Sequence, residues 1–90
     1  MNRGEIWWVS FGPSFGGEIK KRRPALIISN DISNKYLNRV QVIPLTSKTD
    51  KLYPSEAYVT IKAKKHKAMA DQLTTVRKER LSNPVGCILD

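Results

Sequence analysis

Phe15-Gly16-Gly17-Glu18-Ile19-Lys20-Lys21-Arg22-Arg23-Pro24, followed by Ala25-Leu26-Ile27-Ile28, joins a polar loop to an apolar run. Gly16 and Gly17 lack a Cβ, so backbone there lets a ligand come close. Glu18 contributes one carboxylate, and Lys20 to Arg23 contribute consecutive cations. Pro24 closes the loop. Its ring disfavours α conformation in the preceding residue, which extends Arg23 at the mouth of a strand. A guanidinium on so rigid a base is placed as a phosphate-gripping group would be. The same stretch also reads as a solvated basic loop between strands, the commoner fate of a charge run.

On the N-terminal side, Glu5 to Phe11 is a strand of β-formers. Ile6 and Trp8 share one face; Trp7, Val9 and Phe11 share the other. Gly12-Pro13 stops it, and Ser14 to Arg22 is a loop long enough to suggest function. On the C-terminal side, Pro24 to Ser29 is a short, fully apolar strand. Asn30-Asp31-Ile32-Ser33-Asn34 is rich in cap and turn residues and predicts a short helical turn over Asp31 to Leu37. Arg39 to Leu45 is a third strand, in which Pro44 marks an edge, a bulge or the strand's end. Thr46 to Tyr53 is a polar, exposed loop. Ser55 to Ile61 alternates as a fourth strand, and Lys62 to Lys67 reads as a basic turn. Ala68 to Val76 suits strand or helix; the β-branched run Thr74-Thr75-Val76 decides for strand. Arg77 to Leu81 forms one helical turn, Asn83-Pro84 breaks it, and Val85 to Leu89 is a last strand. Short strands, polar turns and little helix predict a mainly β small barrel.

The sequence has 90 residues, enough for one domain with a core of modest size, and 16 Lys+Arg against 8 Asp+Glu give a net charge of +8. That excess favours a polyanionic partner, nucleic acid before membrane. No apolar stretch approaches the ~20 residues of a spanning helix, and no signal-peptide pattern opens the chain. The single cysteine, Cys87, precludes an internal disulfide and reads as a small buried side chain. These features predict a cytoplasmic protein without a membrane partner.

The inventory of side chains narrows the chemistry. His66 is the one histidine, set among lysines in Ala63-Lys64-Lys65-His66-Lys67, and reads as a solvated loop residue. The carboxylates are scattered, without the spacing of a two-metal site. No phosphate-binding P-loop and no dinucleotide fingerprint is present. No cofactor or metal is expected. What remains is Arg23 at one strand's entry and Thr46-Ser47-Lys48 at another's exit, in a basic setting. Arginine grips a phosphate through paired charge-assisted hydrogen bonds and stabilises charge growing on its oxygens. RNA carries its own nucleophile, the 2′-hydroxyl. A site that aligns it with phosphorus needs no metal-bound water.

Five segments carry a family resemblance: Arg3-Gly4-Glu5-Ile6-Trp7, Gly16-Gly17-Glu18, Arg23 through Asn30, Val42 through Ser47, and Asp71 through Val76. In order and spacing they resemble the MazF/PemK-type toxins. The resemblance implies an SH3-like barrel with one or two short helices. It also implies a sequence-specific, metal-independent endoribonuclease acting on single-stranded RNA, a homodimer, and neutralisation by a cognate antitoxin. The family's catalytic arginine falls on Arg23 and its catalytic threonine on Thr46. By that resemblance Arg23 stabilises the pentacoordinate phosphorus and is placed to hand a proton to the leaving 5′-oxygen. Thr46 holds the scissile phosphate. Glu18 matches a family glutamate that orients the arginine or helps deprotonate the 2′-hydroxyl; it also reads as an exposed carboxylate balancing Lys20 and Arg22. Gly16, Asn30, Ser47, Lys48, Asp71 and Gln72 match positions along the RNA path, where amides read base edges. Phe15 stacks a base or packs locally.

The chain departs from the family pattern in two ways. It stops at Asp90, before the C-terminal helix with which family members usually support the dimer, so residues 1–90 read as a single domain lacking that helix. Arg22 makes the neighbourhood of Arg23 more basic than is usual. Two other readings stay open: a non-catalytic toxin of the same fold that binds a protein such as a topoisomerase, and a generic basic RNA-binding domain.

Overall fold

The N-terminal run of β-formers becomes strand β1, Glu5–Ser10, in a computed structural model that describes residues 1–12 and 22–88. Strand β2, Arg22–Ile27, lies antiparallel to it, with Ile6 opposite Leu26 and Val9 opposite Arg23. The six-residue helix α1, Asp31–Tyr36, follows. Asn30 starts it as N-cap, its Oδ1 accepting the Ser33 N–H at 2.8 Å. The remaining strands are β3 (Arg39–Thr46), β4 (Glu56–Ile61), β5 (Lys64–Met69), β6 (Thr74–Arg77) and β7 (Leu81–Cys87). Single 3-10 turns at Ala70–Gln72 and Lys78–Arg80 flank β6.

The strands run β4-β5-β3-β2-β1-β7 across one curled antiparallel sheet, and β6 also pairs with β3. Strand β3 therefore has three partners. One edge takes β2, with Ala25 opposite Pro44 and Ile27 opposite Val42. The other takes β6 from Arg39 to Val42 and then β5 at Leu45 and Thr46. Pro44 falls in the gap between these two ladders. From the sequence, this proline is expected at an edge, a bulge or a strand end. It lies instead within the most heavily paired strand, at the point where the outer edge changes partner and no ladder bond is lost for want of an N–H.

The curl gives two apolar clusters. Val9, Ala25, Ile27, Val40, Val42, Val76 and Leu81 form one, with Trp7 and Phe11 packed against it. Ile6, Leu26, Leu45, Ile61 and Ala68 form the other. Val59 of β4 and Val85 of β7, from opposite ends of the strand path, both pack on the second cluster, so the sheet bends round into a half-barrel. The alternation expected in β1 holds: Ile6 and Val9 bury into different clusters. Complete burial of each large aliphatic side chain is worth about 1.5–3 kcal/mol.

Three expectations change at the C-terminal end. The stretch Ala68 to Val76 is not one strand: the 3-10 turn Ala70–Gln72 divides it between β5 and β6. The stretch Lys62 to Lys67 is not a turn. Ile61 pairs with Lys64, which leaves Lys62-Ala63 as a two-residue hairpin turn, and the lysines and His66 belong to strand β5. Both turn residues have positive φ, 49° and 64°. This is the backbone of a primed turn, ordinarily built from Asn-Gly, so Lys-Ala gives no signal of it. The last strand starts at Leu81, earlier than expected, and contains Pro84 opposite Trp7. Register shifts on both sides of Trp7 absorb the proline.

An L-residue in the left-handed region costs roughly 1 kcal/mol relative to glycine. Ala63→Gly is therefore expected to stabilise the protein by about that amount. A urea midpoint that rises at unchanged slope verifies it; an unchanged or lower midpoint contradicts it.

Candidate functional site

Strand β2 begins where β3 ends. The β2–β3 register (Ala25 with Pro44, Leu26 with Ile43), carried two residues further, sets Arg23 level with Thr46. On the other edge of β3, Thr46 pairs with Lys67 of β5, and one more step sets Ser47 level with His66. The ends of the three strands surround an open cavity of ≈ 440 Å³ lined by Arg22, Arg23, Leu45, Thr46, Ser47, Lys48 and His66. Among the described residues it has no carboxylate in its lining. Such a cavity favours an anion.

Thr46 is held for donation. Its Oγ1 accepts the backbone N–H of Lys48 at 3.2 Å, which fixes the hydroxyl while leaving its own proton to give. Arg22 is anchored differently. Its guanidinium lies 4.7 Å from the Trp8 ring centroid, and its Nη2 donates to Ser82 Oγ at 2.9 Å. The tryptophan face and the serine hydroxyl fix this cation at the cavity's rim.

A buried strap positions the loop that carries Ser47 and Lys48. Lys67 Nζ lies 3.0 Å from Glu56 Oε1 and donates to the Lys51 carbonyl at 2.8 Å; both charged side chains are only 8 % exposed. The Tyr53 ring lies 5.3 Å from the same ammonium, and Tyr58 Oη donates to the Thr49 carbonyl at 3.2 Å. Removing either charge of such a pair strands the other in a dry setting. The Glu56 carboxyl sits below its ordinary value of 4.5. The Tyr53 backbone N–H is the main cause and Lys67 a further one, against desolvation that pulls the other way.

Of the residues singled out in the sequence, Arg23, Thr46, Ser47 and Lys48 converge on this cavity. Asn30 does not line it. Its side chain is committed to the α1 cap, and it borders a separate recess with Ser29, Ser33, Leu37, Arg39 and Gln41. Asp71 and Gln72 are exposed on the 3-10 turn after β5, outside the cavity lining. Glu18, Phe15 and Gly16 lie outside the described residues. Two residues correct the sequence reading. His66 is a half-buried cavity residue of β5, not a solvated loop residue, because the chain turns at Lys62-Ala63. Cys87 is exposed at the end of β7, not a small buried side chain. A trace of the histidine's placement in the sequence is the mirrored alternation of Ala57 and Val59 on β4 against Ala68 and His66 on β5.

The family model for PemK-like, MazF-like toxins of type II toxin-antitoxin systems matches residues 2–90. The chain is 36 % identical over 95 residues to the endoribonuclease MazF9 of Mycobacterium tuberculosis, an alignment covering 96 % of this chain and 80 % of that protein. The fold superposes on a MazF crystal structure from Deinococcus radiodurans with a TM-score of 0.81 at 25 % identity, covering 99 % of this chain and 82 % of that one. A MazE–MazF structure from the same organism gives a TM-score of 0.75 at 27 % identity, covering 97 % and 80 %.

The lowered Glu56 value sets a pH dependence. Its folded-state pKa is depressed, so its contribution is complete above pH 4.5 and is lost as pH falls from there through the lowered value. Glu56→Gln is expected to reduce the acid sensitivity of the urea midpoint between about pH 6 and 3. Glu5, held down chiefly by the Trp7 indole N–H and then by the Asn2 N–H, keeps part of it. A variant with the same acid sensitivity as the parent contradicts the role of the strap carboxylate.

Proposed function

The chain belongs to the PemK-like and MazF-like toxins of type II toxin-antitoxin systems, and on that premise we propose that this toxin endoribonuclease cuts single-stranded RNA at a phosphodiester seated between Arg23 and Thr46. The supporting observation is the convergence of these two side chains, from separate strands, on one cavity whose described lining holds cations and no carboxylate. Arg23 binds the non-bridging oxygens and stabilises the charge that grows on them. Thr46, its Oγ1 fixed by the Lys48 N–H, donates its proton to a phosphate oxygen. The 2′-hydroxyl attacks in line, giving a 2′,3′-cyclic phosphate and a 5′-hydroxyl without a metal ion. Glu18 orients Arg23 or takes the 2′-proton.

Lys48 and Ser47 hold the backbone beside the scissile group. Phe15, Gly16, Asn30, Asp71 and Gln72 meet flanking nucleotides and give sequence preference. The protein works as a homodimer in the cytoplasm, and a cognate antitoxin covers the cavity, as befits a partner of the MazE kind. Among the described residues no helix is long and apolar enough to cross a membrane.

Arg23→Ala and Thr46→Ala are each expected to slow cleavage of a long transcript by about 10²–10³-fold with an unchanged circular dichroism spectrum. Loss of folding instead would give both residues structural roles. EDTA should leave the rate unchanged. A 2′-deoxy substitution at the cut nucleotide should abolish cutting while binding persists; continued cutting there would refute self-attack by the ribose. Intact RNA throughout would favour a non-catalytic toxin.

A further inference from the structure

The departing 5′-oxygen needs a proton, and the pair Arg23–Thr46 is a poor source. A guanidinium keeps its protons far above neutral pH, and an alcohol is a weaker acid still than the cations around it. Among side chains, imidazole is the one suited to give and regain a proton near pH 7. The cavity contains one, His66, which the chemistry above leaves unused.

We propose that His66 is the general acid of the cleavage, handing the proton on Nε2 to the 5′-oxygen as the phosphorus–oxygen bond breaks. This rests on the reading that an RNA phosphodiester occupies the cavity. The geometry is specific. His66 Nδ1 lies 3.2 Å from the Lys64 carbonyl oxygen. A carbonyl only accepts, so Nδ1 is the donor there, and the bond leaves Nε2 as the nitrogen for a bound ligand. His66 lines the same cavity as Arg23 and Thr46, at the ends of β5, β2 and β3, so phosphate held by Thr46 lies in the space that the ring borders. The ring is half-buried, on a strand and not a loop, so its position is held by the sheet. Among the described residues, the charged groups that share its cavity are Arg22 and Arg23 of β2 and Lys48 after β3, with Lys64 two residues before it on its own strand; its partner on β4, Val59, is uncharged.

The step balances. The 2′-oxygen loses its proton to solvent water and bonds to phosphorus. The electrons of the P–O5′ bond pass to the 5′-oxygen, which takes the Nε2 proton, and neutral imidazole then recovers a proton from water. Arg23 stays charged throughout and needs no proton transfer.

The test uses RNA whose 5′-bridging oxygen at the cut is replaced by sulfur, since a thiolate leaves without protonation. His66→Gln is expected to lose about 10²–10³-fold on ordinary RNA and less than about 10-fold on the sulfur substrate. Equal losses on both would overturn the assignment. Arg23→Ala should lose rate on both; if it loses on neither, the underlying reading of the cavity fails instead. Should His66→Gln not fold, the parent protein decides. Its rate on ordinary RNA should fall at alkaline pH, and that fall should vanish on the sulfur substrate. The same fall on both would exclude His66 as the acid.

Discussion

Strand β3 is shared between ladders that diverge, and the rest of the molecule follows from that sharing. Its inner edge is taken by β2, while its outer edge must satisfy β6 for four residues and β5 for two. Two ladders on one edge cannot both be continuous, because each partner needs its own run of N–H and C=O groups. Pro44, which has no N–H to offer, stands at the break. The divergence sends β5 away from β6 and bends the sheet, so that β4 and β7 reach a common apolar cluster. The corner left between β2, β3 and β5 is the cavity.

That corner is electrostatically expensive. Arg22, Arg23 and Lys48 line it, and no carboxylate among the described residues neutralises them there. The nearby acid, Glu56, is turned inward to Lys67 and the Tyr53 N–H. A structure built only for stability would interleave the charges. Here one lysine is tied down with a carboxylate to hold a loop, one arginine is stacked on Trp8, and the remaining cations face the opening. A local violation of charge balance, supported by buried pairs behind it, is what a site for a polyanion requires. Membership of a family of toxins that includes named endoribonucleases is the ground on which RNA is proposed as that anion.

Much of this arrangement was readable before the structure. Pro24 extended Arg23 at a strand entry because of a local steric rule, and Asn30 announced a helix because its side chain caps one within three residues. The β-formers of β1 and the continuous apolar run of β2 both reported strands whose two faces bury, Ile6 and Leu26 into one cluster and Val9, Ala25 and Ile27 into the other. The misses share a cause. Lys62-Ala63 turns a hairpin with positive φ on residues that seldom adopt it, held by the β4–β5 ladder on both sides. Pro84 sits in a strand that Trp7 and two register shifts accommodate. In each case cross-strand pairing overrode the local preference of the residue.

The sequence alone determined the first four strands and the short helix among them, the basic character of the chain, and the candidacy of Arg23 and Thr46, since these depend on neighbours a few residues away. Only the tertiary structure decided what stands beside them. His66 reaches the cavity through a turn with no sequence signature, and Lys67 leaves solvent to hold the loop of Ser47 and Lys48 from 16 residues beyond Lys51. Pairing between distant strands sets such neighbours, and no short-range pattern of side chains encodes it.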